Sequence, residues 1–222
     1  MNFFQRLERS LSVPRLDSYR KLGGGDEGAL CRYLWNTALC EALYPSLQIL
    51  EVGFRNSVHS EIAATTRVPE WLKTELAFLF DPEKERITKA KDGLRKTGKP
   101  LTESFLVAEL SFGFWTSLLD VRYDRLWHKI VMGVFPTMPR TIRTRSEASA
   151  RMSAVRKLRN AALHHHSIWH WQDLEKKHSD IHTLIEWICP SSAKIARSLD
   201  RFPAVYSGKA EQFAAIAAEI SK

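Results

Sequence analysis

Cysteine is scarce in this sequence, and long apolar runs are missing. Three cysteines, Cys31, Cys40 and Cys189, occur in 222 residues, without a C-x-x-C spacing. An odd count of this kind predicts free, buried thiols in a reducing cytoplasm rather than a disulfide framework. No uninterrupted apolar run reaches membrane-spanning length, and charges break up the opening MNFFQRLERSLSVP. We therefore expect a cytoplasmic protein with no transmembrane helix, no signal peptide and no membrane partner.

Period-two alternation of β-branched residues is also missing, as are repeats of 20 to 50 residues and low-complexity linkers. Helix starts and stops are frequent instead. Ser12 with Pro14 predicts one start, and Pro45 either begins a new helix or kinks the one that starts at Asp26. A long helix is predicted over 143–166. The composition, 44% hydrophobic and 26% charged, is that of an ordinary globular chain.

The fold class that follows is all-α, arranged as a single helical bundle. At 222 residues the chain has the length of one sizeable domain with a buried core, so we predict one domain over 1–222. The last stretch, 202–222, is predicted to be a C-terminal helical extension, which lies against the bundle or extends to a partner.

Basic residues concentrate just before the most informative stretch. The net charge is +8, and residues 140–159 contain seven basic side chains against the single acid Glu147. A basic segment of this kind predicts a polyanionic partner, and its bland alternative is a solvated helix face. We expect RNA to be bound by a set of cations on this helix: Arg143, Arg145, Arg151, Arg156 and Lys157.

The candidate chemistry lies in the segment Arg159-Asn160-Ala161-Ala162-Leu163-His164. A guanidinium can hold and neutralise a phosphate, an amide can orient it, and an imidazole can move a proton near neutral pH. These groups suffice to cleave an RNA phosphodiester without a metal. Arg159, Asn160 and His164 are therefore the candidate catalytic residues.

The helical period puts these residues on different faces. Asn160 and His164 are four apart and share a face, opposite a stripe formed by Val155, Leu158 and Ala162. Arg159 lies at the edge of that stripe, roughly 140° from His164 around the axis. Either the helix bends near the histidines, or a second copy of the chain completes the pocket. We favour the second alternative, a homodimer.

A carboxylate falls within the apolar stripe predicted for the helix after Pro45. Glu51 lies among Leu47, Leu50, Phe54, Val58 and Ile62. Because an unpaired buried charge costs several kcal/mol, Glu51 needs a cationic partner, and Arg55 and Arg159 are the candidates. The pair either orients Arg159 for chemistry or is purely architectural.

Three blocks of the sequence resemble a known family. Arg159, Asn160, His164 and His165, followed by Ile168-Trp169, form the first. The others are Leu50-Glu51 with Arg55-Asn56, and Glu109 to Gly113 with Trp115. Together, over roughly 12–190, they resemble the abortive-infection (Abi-like) family of the HEPN superfamily of helical ribonucleases. His166-Ser167 stands where that family usually has Glu-Pro.

The resemblance implies a HEPN-type bundle, a composite cleft in a homodimer, and a metal-independent endoribonuclease with an R-x4-H motif. It implies RNA cleavage by 2′-hydroxyl attack, with Arg159 and His164 catalytic and Asn160 beside them. His165 joins Glu51 and Arg55 as orienting residues. The biological role implied is a growth-arresting toxin of phage defence, with an antitoxin protein as a further partner. No cofactor and no metal are expected.

Three other interpretations remain open. His178 and His182 are four apart on a predicted helix and could share a metal ion, although we expect them to be surface residues. The chain could be a non-catalytic module that binds RNA or a protein through 140–159. His164 could be a histidine satisfied at an interface. Trp169, Trp171 and Trp187 could stack on RNA bases, but core packing is the stronger expectation.

Overall fold

The computed structural model describes residues 1–74 and 77–222, and no residue in these ranges lies in a strand. The predicted all-α fold class is confirmed. The helices are α1 (Phe3–Leu11), α2 (Val13–Arg20), α3 (Gly25–Thr66), α4 (Trp71–Thr74), α5 (Asp81–Lys96), α6 (Glu103–Glu109), α7 (Phe112–Ser117), α8 (Asp124–Val134), α9 (Arg145–Leu163), α10 (Leu174–Ile188), α11 (Pro190–Ser198), α12 (Phe202–Gly208) and α13 (Ala214–Ile220), with short 3-10 turns at Val121–Tyr123 and Ala210–Phe213. Among these helices, none combines the length and apolarity needed to cross a bilayer.

Helix α3 answers the question posed by Pro45. The helix continues through this proline over 42 residues, so Pro45 does not begin a new helix. A proline in a helix interior removes one backbone hydrogen bond and costs about 3 kcal/mol. Burial in both halves of α3 offsets that cost, because Leu39 and Leu43 before the proline and Leu50 and Phe54 after it are fully buried.

The chain forms two compact units. Unit 1 comprises residues 1–45, 158–178 and 199–222, and unit 2 comprises residues 46–157 and 179–198. Helices α3, α9 and α10 contribute residues to both. The expectation of one domain over 1–222 stays a prediction.

Unit 1 is held together by aromatic packing and by one arginine. Trp169 lies 6.3 Å from both Tyr19 and Trp35, measured between ring centroids. Arg20 binds carboxylates from three places: Glu8 of α1, Asp17 of α2 and Asp26 of α3. This network fixes α2 beside the start of α3.

The C-terminal segment 202–222 is part of unit 1. Phe202 is buried and stacks on the His178 imidazole at 4.3 Å between centroids. The Trp35 indole N–H donates to the carbonyl of Val205 at 3.0 Å. These contacts pack the start of the segment within unit 1, and the extension that lies against the bundle or extends to a partner stays a prediction.

Unit 2 contains the apolar stripe predicted for α3: Leu47, Leu50, Phe54, Val58 and Ile62 are all buried. Phe54 stacks on Phe135 at 6.1 Å between ring centroids. Ser111 caps the short helix α7, whose Phe112, Phe114 and Trp115 are buried. The block from Glu109 to Gly113 with Trp115, which is part of the resemblance, thus contributes aromatic residues to the unit 2 core.

The core assignment of the tryptophans is confirmed for Trp169 and Trp187, which are buried, whereas Trp171 is half-buried. The stripe predicted on α9 is also buried. All three cysteines are free thiols, and each is half-buried rather than fully buried as expected.

Candidate functional site

The candidate catalytic segment lies at the C-terminal end of α9. The helix ends at Leu163, three residues earlier than predicted. Two amides of the following turn then bond back to the last helical carbonyls: His165 N donates to Ala162 O at 3.4 Å, and His166 N donates to Ala161 O at 2.8 Å. This pair of bonds is a Schellman motif, which satisfies carbonyls that a helix end leaves open. The bend considered from the sequence is thus a helix end.

His165 occupies the position of that motif where glycine is usual. Its φ is +62°, in the left-handed region that costs a residue with a Cβ about 1–2 kcal/mol. A bond from another helix holds the turn in place, since Arg15 of α2 donates through Nη2 to the carbonyl of His165 at 2.6 Å. The turn is therefore fixed both by α9 and by α2, and a strained residue of this kind is a common feature of functional sites.

The three candidate catalytic residues lie on this helix end in unit 1. Arg159 Nη1 donates to Asn160 Oδ1 at 3.4 Å, a long contact that brings the first two together. His164 is the first residue after α9, and its amide donates to Asn160 O at 3.0 Å, which continues the helical hydrogen-bond pattern. The side chains of Asn160 and His164 are exposed, whereas Arg159 is half-buried.

Asn36 of α3 positions the chain that follows the histidines. Its side chain is 4% exposed, and its Oδ1 accepts from Ile168 N at 2.7 Å and from Trp169 N at 3.2 Å. A buried amide bonded in this way fixes a turn without adding charge. The sequence analysis missed this residue, although an asparagine between Trp35 and Leu39 on an apolar helix is a signal that a buried polar group needs partners.

A cavity of about 370 Å³ opens beside the strained turn in unit 1. Its lining includes Arg15, Tyr33, Asn36, Ala162 and His165. The Arg15 guanidinium carbon lies 6.0 Å from the centroid of the Tyr33 ring. Sequence reasoning missed Arg15 and Tyr33 as well, because they meet the histidine turn only through folding.

Two of the predicted orienting residues, Glu51 and Arg55, lie on the part of α3 that belongs to unit 2. Both are half-buried. Glu51 has an interaction partner, as its place in the apolar stripe requires, whereas the Arg55 Nε atom is buried without a hydrogen bond in the described part of the chain. The pairing of Glu51 with Arg55 or Arg159 stays a prediction.

Three of the predicted RNA-binding cations are engaged within unit 2. Arg143 precedes α9 and donates to the carbonyls of Met138 and Pro136. Arg145 binds Asp124 Oδ1 at 2.8 Å and also donates to the Leu119 carbonyl.

The third engaged cation, Arg151, binds Glu147 and Asp180, and its guanidinium lies over the Trp187 ring. Arg156 and Lys157 are exposed on α9. Of the five cations, these two remain the ones with side chains directed to solvent. RNA binding by this set stays a prediction.

The histidines considered for a metal ion are not the surface residues that we expected. His178 is largely buried in unit 1, where its Nε2 lies 3.0 Å from Asp200 Oδ1. His182 is half-buried in unit 2, with Nε2 3.4 Å from Ser46 Oγ. Each of these histidines can offer a ring nitrogen to a metal ion, and the metal interpretation stays a hypothesis.

The site therefore consists of an exposed histidine after a capped helix, an arginine–asparagine pair one turn earlier, and a cavity beside the turn. Each of these features is carried by residues of unit 1 alone. No protein-family model, curated protein or solved structure matches the chain.

Proposed function

We propose that this protein is a metal-independent endoribonuclease in which Arg159, Asn160 and His164 act on the scissile phosphate. The observation that carries the proposal is the exposed His164 imidazole, whose backbone is held by the capped end of α9 next to the Arg159–Asn160 pair. A general acid or base has to reach its substrate and keep a fixed geometry, and this placement meets both needs.

The proposed reaction starts with the RNA 2′-hydroxyl. Its oxygen attacks the adjacent phosphorus while a base removes its proton, and the bond to the 5′-oxygen breaks as an acid protonates that oxygen. The products are a 2′,3′-cyclic phosphate and a 5′-hydroxyl end. Arg159 stabilises the added negative charge on the phosphorane, Asn160 donates a hydrogen bond to one of its oxygens, and His164 moves a proton.

Arg159 and His164 lie roughly 140° apart around the axis of α9, and this supports a homodimer. In a two-fold assembly, His164 of one protomer moves the proton at a phosphate that Arg159 of the partner subunit holds. The exposed face of Asn160 and His164 is available for such pairing. Isologous association is also the commonest route by which a single chain builds a composite site.

The wider role follows from the resemblance to the abortive-infection (Abi-like) family. On that basis the protein is a growth-arresting toxin of phage defence, with RNA as its substrate and an antitoxin protein as a further partner. Arg156 and Lys157 come just before Arg159 in the sequence and are the exposed cations that attract the RNA backbone.

Cleavage in EDTA tests the proposal directly. The full chain is incubated with tRNA and mRNA in the chelator, beside Arg159→Ala and His164→Ala, and the new ends are analysed chemically. We expect cyclic-phosphate ends from the wild type and at least about a 100-fold loss in each variant. The control is His128→Ala, which removes an exposed histidine of α8. Equal cleavage by wild type and His164→Ala would contradict the proposal.

A second candidate function is a non-catalytic module that binds RNA or a protein through 140–159. The exposed Arg156 and Lys157 are the observation in its favour. The two functions differ in the behaviour of His164→Ala: a nuclease loses cleavage and keeps RNA binding, whereas a binding module has no cleavage to lose.

A further inference from the structure

The cavity beside the histidine turn has the properties of a ligand site. Its volume of about 370 Å³ falls at the small end of the range for small-ligand pockets, about 300–1,000 Å³. Its lining combines apolar surface with a few polar groups at defined places, which is the usual composition of such pockets. One wall is formed by Ala162 and His165, which flank Leu163 and His164 in the sequence.

The polar groups of the cavity are mainly donors. Asn36 lines the cavity and uses its carbonyl oxygen for two backbone amides, so its NH₂ group, 3.9 Å from Cys40 Sγ, is the part of the side chain that can donate to a ligand. Arg15 places a positive charge in the same wall. A ligand that complements this lining carries acceptor atoms and is attracted by positive charge.

A planar surface is also present. The Tyr33 ring lines the cavity, and the Arg15 guanidinium lies near it at 6.0 Å. Tyrosine rings and arginine planes are the surfaces on which single-stranded RNA-binding proteins stack unpaired bases. A base fits this lining better than an aliphatic ligand, because its edge supplies acceptors and its face supplies a stacking surface.

A second, independent observation points the same way. The Tyr19 side chain is 1% exposed, and its hydroxyl has no hydrogen-bond partner among the described residues. Its ring packs edge-on against that of Tyr33, which lines the cavity, at 5.4 Å between ring centroids. A buried hydroxyl without a partner is destabilising unless water or a ligand supplies one.

We propose that this cavity is a nucleobase subsite: it receives the base of one nucleotide flanking the phosphate that Arg159 and His164 cleave. The subsite rests on the proposed ribonuclease function for its substrate class. Because Arg15 both lines the cavity and binds the carbonyl of His165, a base in the cavity also holds the turn that carries His164. Arg15 is in this sense a positioning residue.

Binding is measured separately from cleavage, so that the two proposals can fail independently. The probe is a fluorescein-labelled single-stranded 2′-O-methyl RNA of ten nucleotides, which has no 2′-hydroxyl and cannot be cleaved. Its affinity for the full chain is measured by fluorescence anisotropy, with all bases present and then with each base in turn replaced by an abasic sugar. We expect one abasic position to weaken binding by about tenfold more than its neighbours.

The informative variant is Tyr33→Leu, which removes the stacking surface and keeps apolar volume. Its matched control is Tyr44→Leu on the same helix, where the tyrosine is 52% exposed and does not line the cavity. We expect Tyr33→Leu to weaken binding of the intact RNA by about tenfold. It should also abolish the extra loss of affinity at the sensitive abasic position. Tyr44→Leu keeps the wild-type affinity for the intact RNA and the extra loss of affinity at that abasic position.

A second pair of variants protects the test against misfolding. Thr37 is exposed at the cavity lining and Ser207 is exposed elsewhere in unit 1, and each hydroxyl donates to a carbonyl of its own helix. Thr37→Glu places a negative charge where the RNA enters and weakens binding by about tenfold, whereas Ser207→Glu does not.

The outcomes separate the two proposals. If the wild type cleaves RNA while Tyr33→Leu and Thr37→Glu bind the probe as their controls do, the base subsite is wrong and the ribonuclease stands. If these variants lose binding but no RNA is cleaved in EDTA, the subsite belongs to an RNA-binding module and the ribonuclease is wrong. If no abasic position is distinguished by the wild type, the subsite is overturned whatever the cleavage result.

Discussion

At the scale of single residues, the three thiols differ in the environment that sets their acidity. Burial raises the pKa of Cys40 to about 11, and burial also raises the pKa of Cys31. The Ser192 hydroxyl and nearby backbone amides donate to the sulfur of Cys189 and lower its pKa below the usual value. A lowered pKa means a larger thiolate fraction at any pH below it, and the thiolate is the reactive form.

We therefore predict that iodoacetamide at pH 7.5 modifies Cys189 at least about tenfold faster than Cys40. The measurement is the time course of carbamidomethylation of each peptide by mass spectrometry under native conditions. Ser192→Ala, which removes the first donor, slows Cys189 and leaves Cys40 unchanged. Modification of Cys40 as fast as Cys189 would show that the local hydrogen bonds do not control reactivity.

At the scale of helices, the end of α9 requires a left-handed backbone conformation at one residue. His165 has a φ of +62°, which glycine tolerates and β-branched residues do not. We predict that His165→Val lowers the free energy of unfolding by about 1–2 kcal/mol and that His165→Gly raises it by about 0.5 kcal/mol. The gain is small because glycine also increases the entropy of the unfolded chain.

Urea unfolding followed by circular dichroism measures both changes. The control is His166→Val at the next position, where φ is not positive and the side chain is exposed. We expect this control to stay within about 0.5 kcal/mol of the wild type. A His165→Val variant as stable as His166→Val would mean that the turn is not constrained as described.

Most helices could be predicted because their signals are local. Asn2 with Gln5 forms a capping box, Pro14 lies in a first turn, and Thr102 caps α6 through its hydroxyl. The end of α9 could not be predicted, because no glycine or proline marks it. A histidine takes the glycine position there, and the bond from Arg15, 150 residues away in sequence, helps to hold it.

At the scale of the whole molecule, the homodimer is the prediction on which a composite site depends. If Arg159 of one protomer works with His164 of the other, mixing Arg159→Ala with His164→Ala restores one intact site in each mixed dimer. Equal mixing then recovers about a quarter of wild-type cleavage in EDTA, from two variants that are each inactive.

The measurement is a cleavage assay on the unfolded and co-refolded mixture, with sedimentation velocity to establish the oligomer. The control is Arg159→Ala unfolded and refolded alone, which stays inactive. If the protein is a dimer and the mixture recovers no cleavage, Arg159 and His164 of the same chain work together. If the protein cleaves RNA as a monomer, the composite site is wrong.

The candidate site could be predicted only in part, because some of its residues are far apart in the sequence. Arg159, Asn160 and His164 are close in sequence, and their chemistry is evident from residue type and spacing. Asn36 and Tyr33, by contrast, reach the histidine turn from α3, more than 120 residues earlier. Their roles depend on tertiary packing, which periodicity and composition do not encode.

The bond between Arg15 and the carbonyl of His165 has a consequence during biosynthesis. Arg15 is synthesised 150 residues before His165, whose carbonyl it binds. Until the segment with Ala162 and His165 has been synthesised, the cavity lacks one of its walls. On the proposed function, a chain that is still too short to form this bond lacks the placed histidine that RNA cleavage requires.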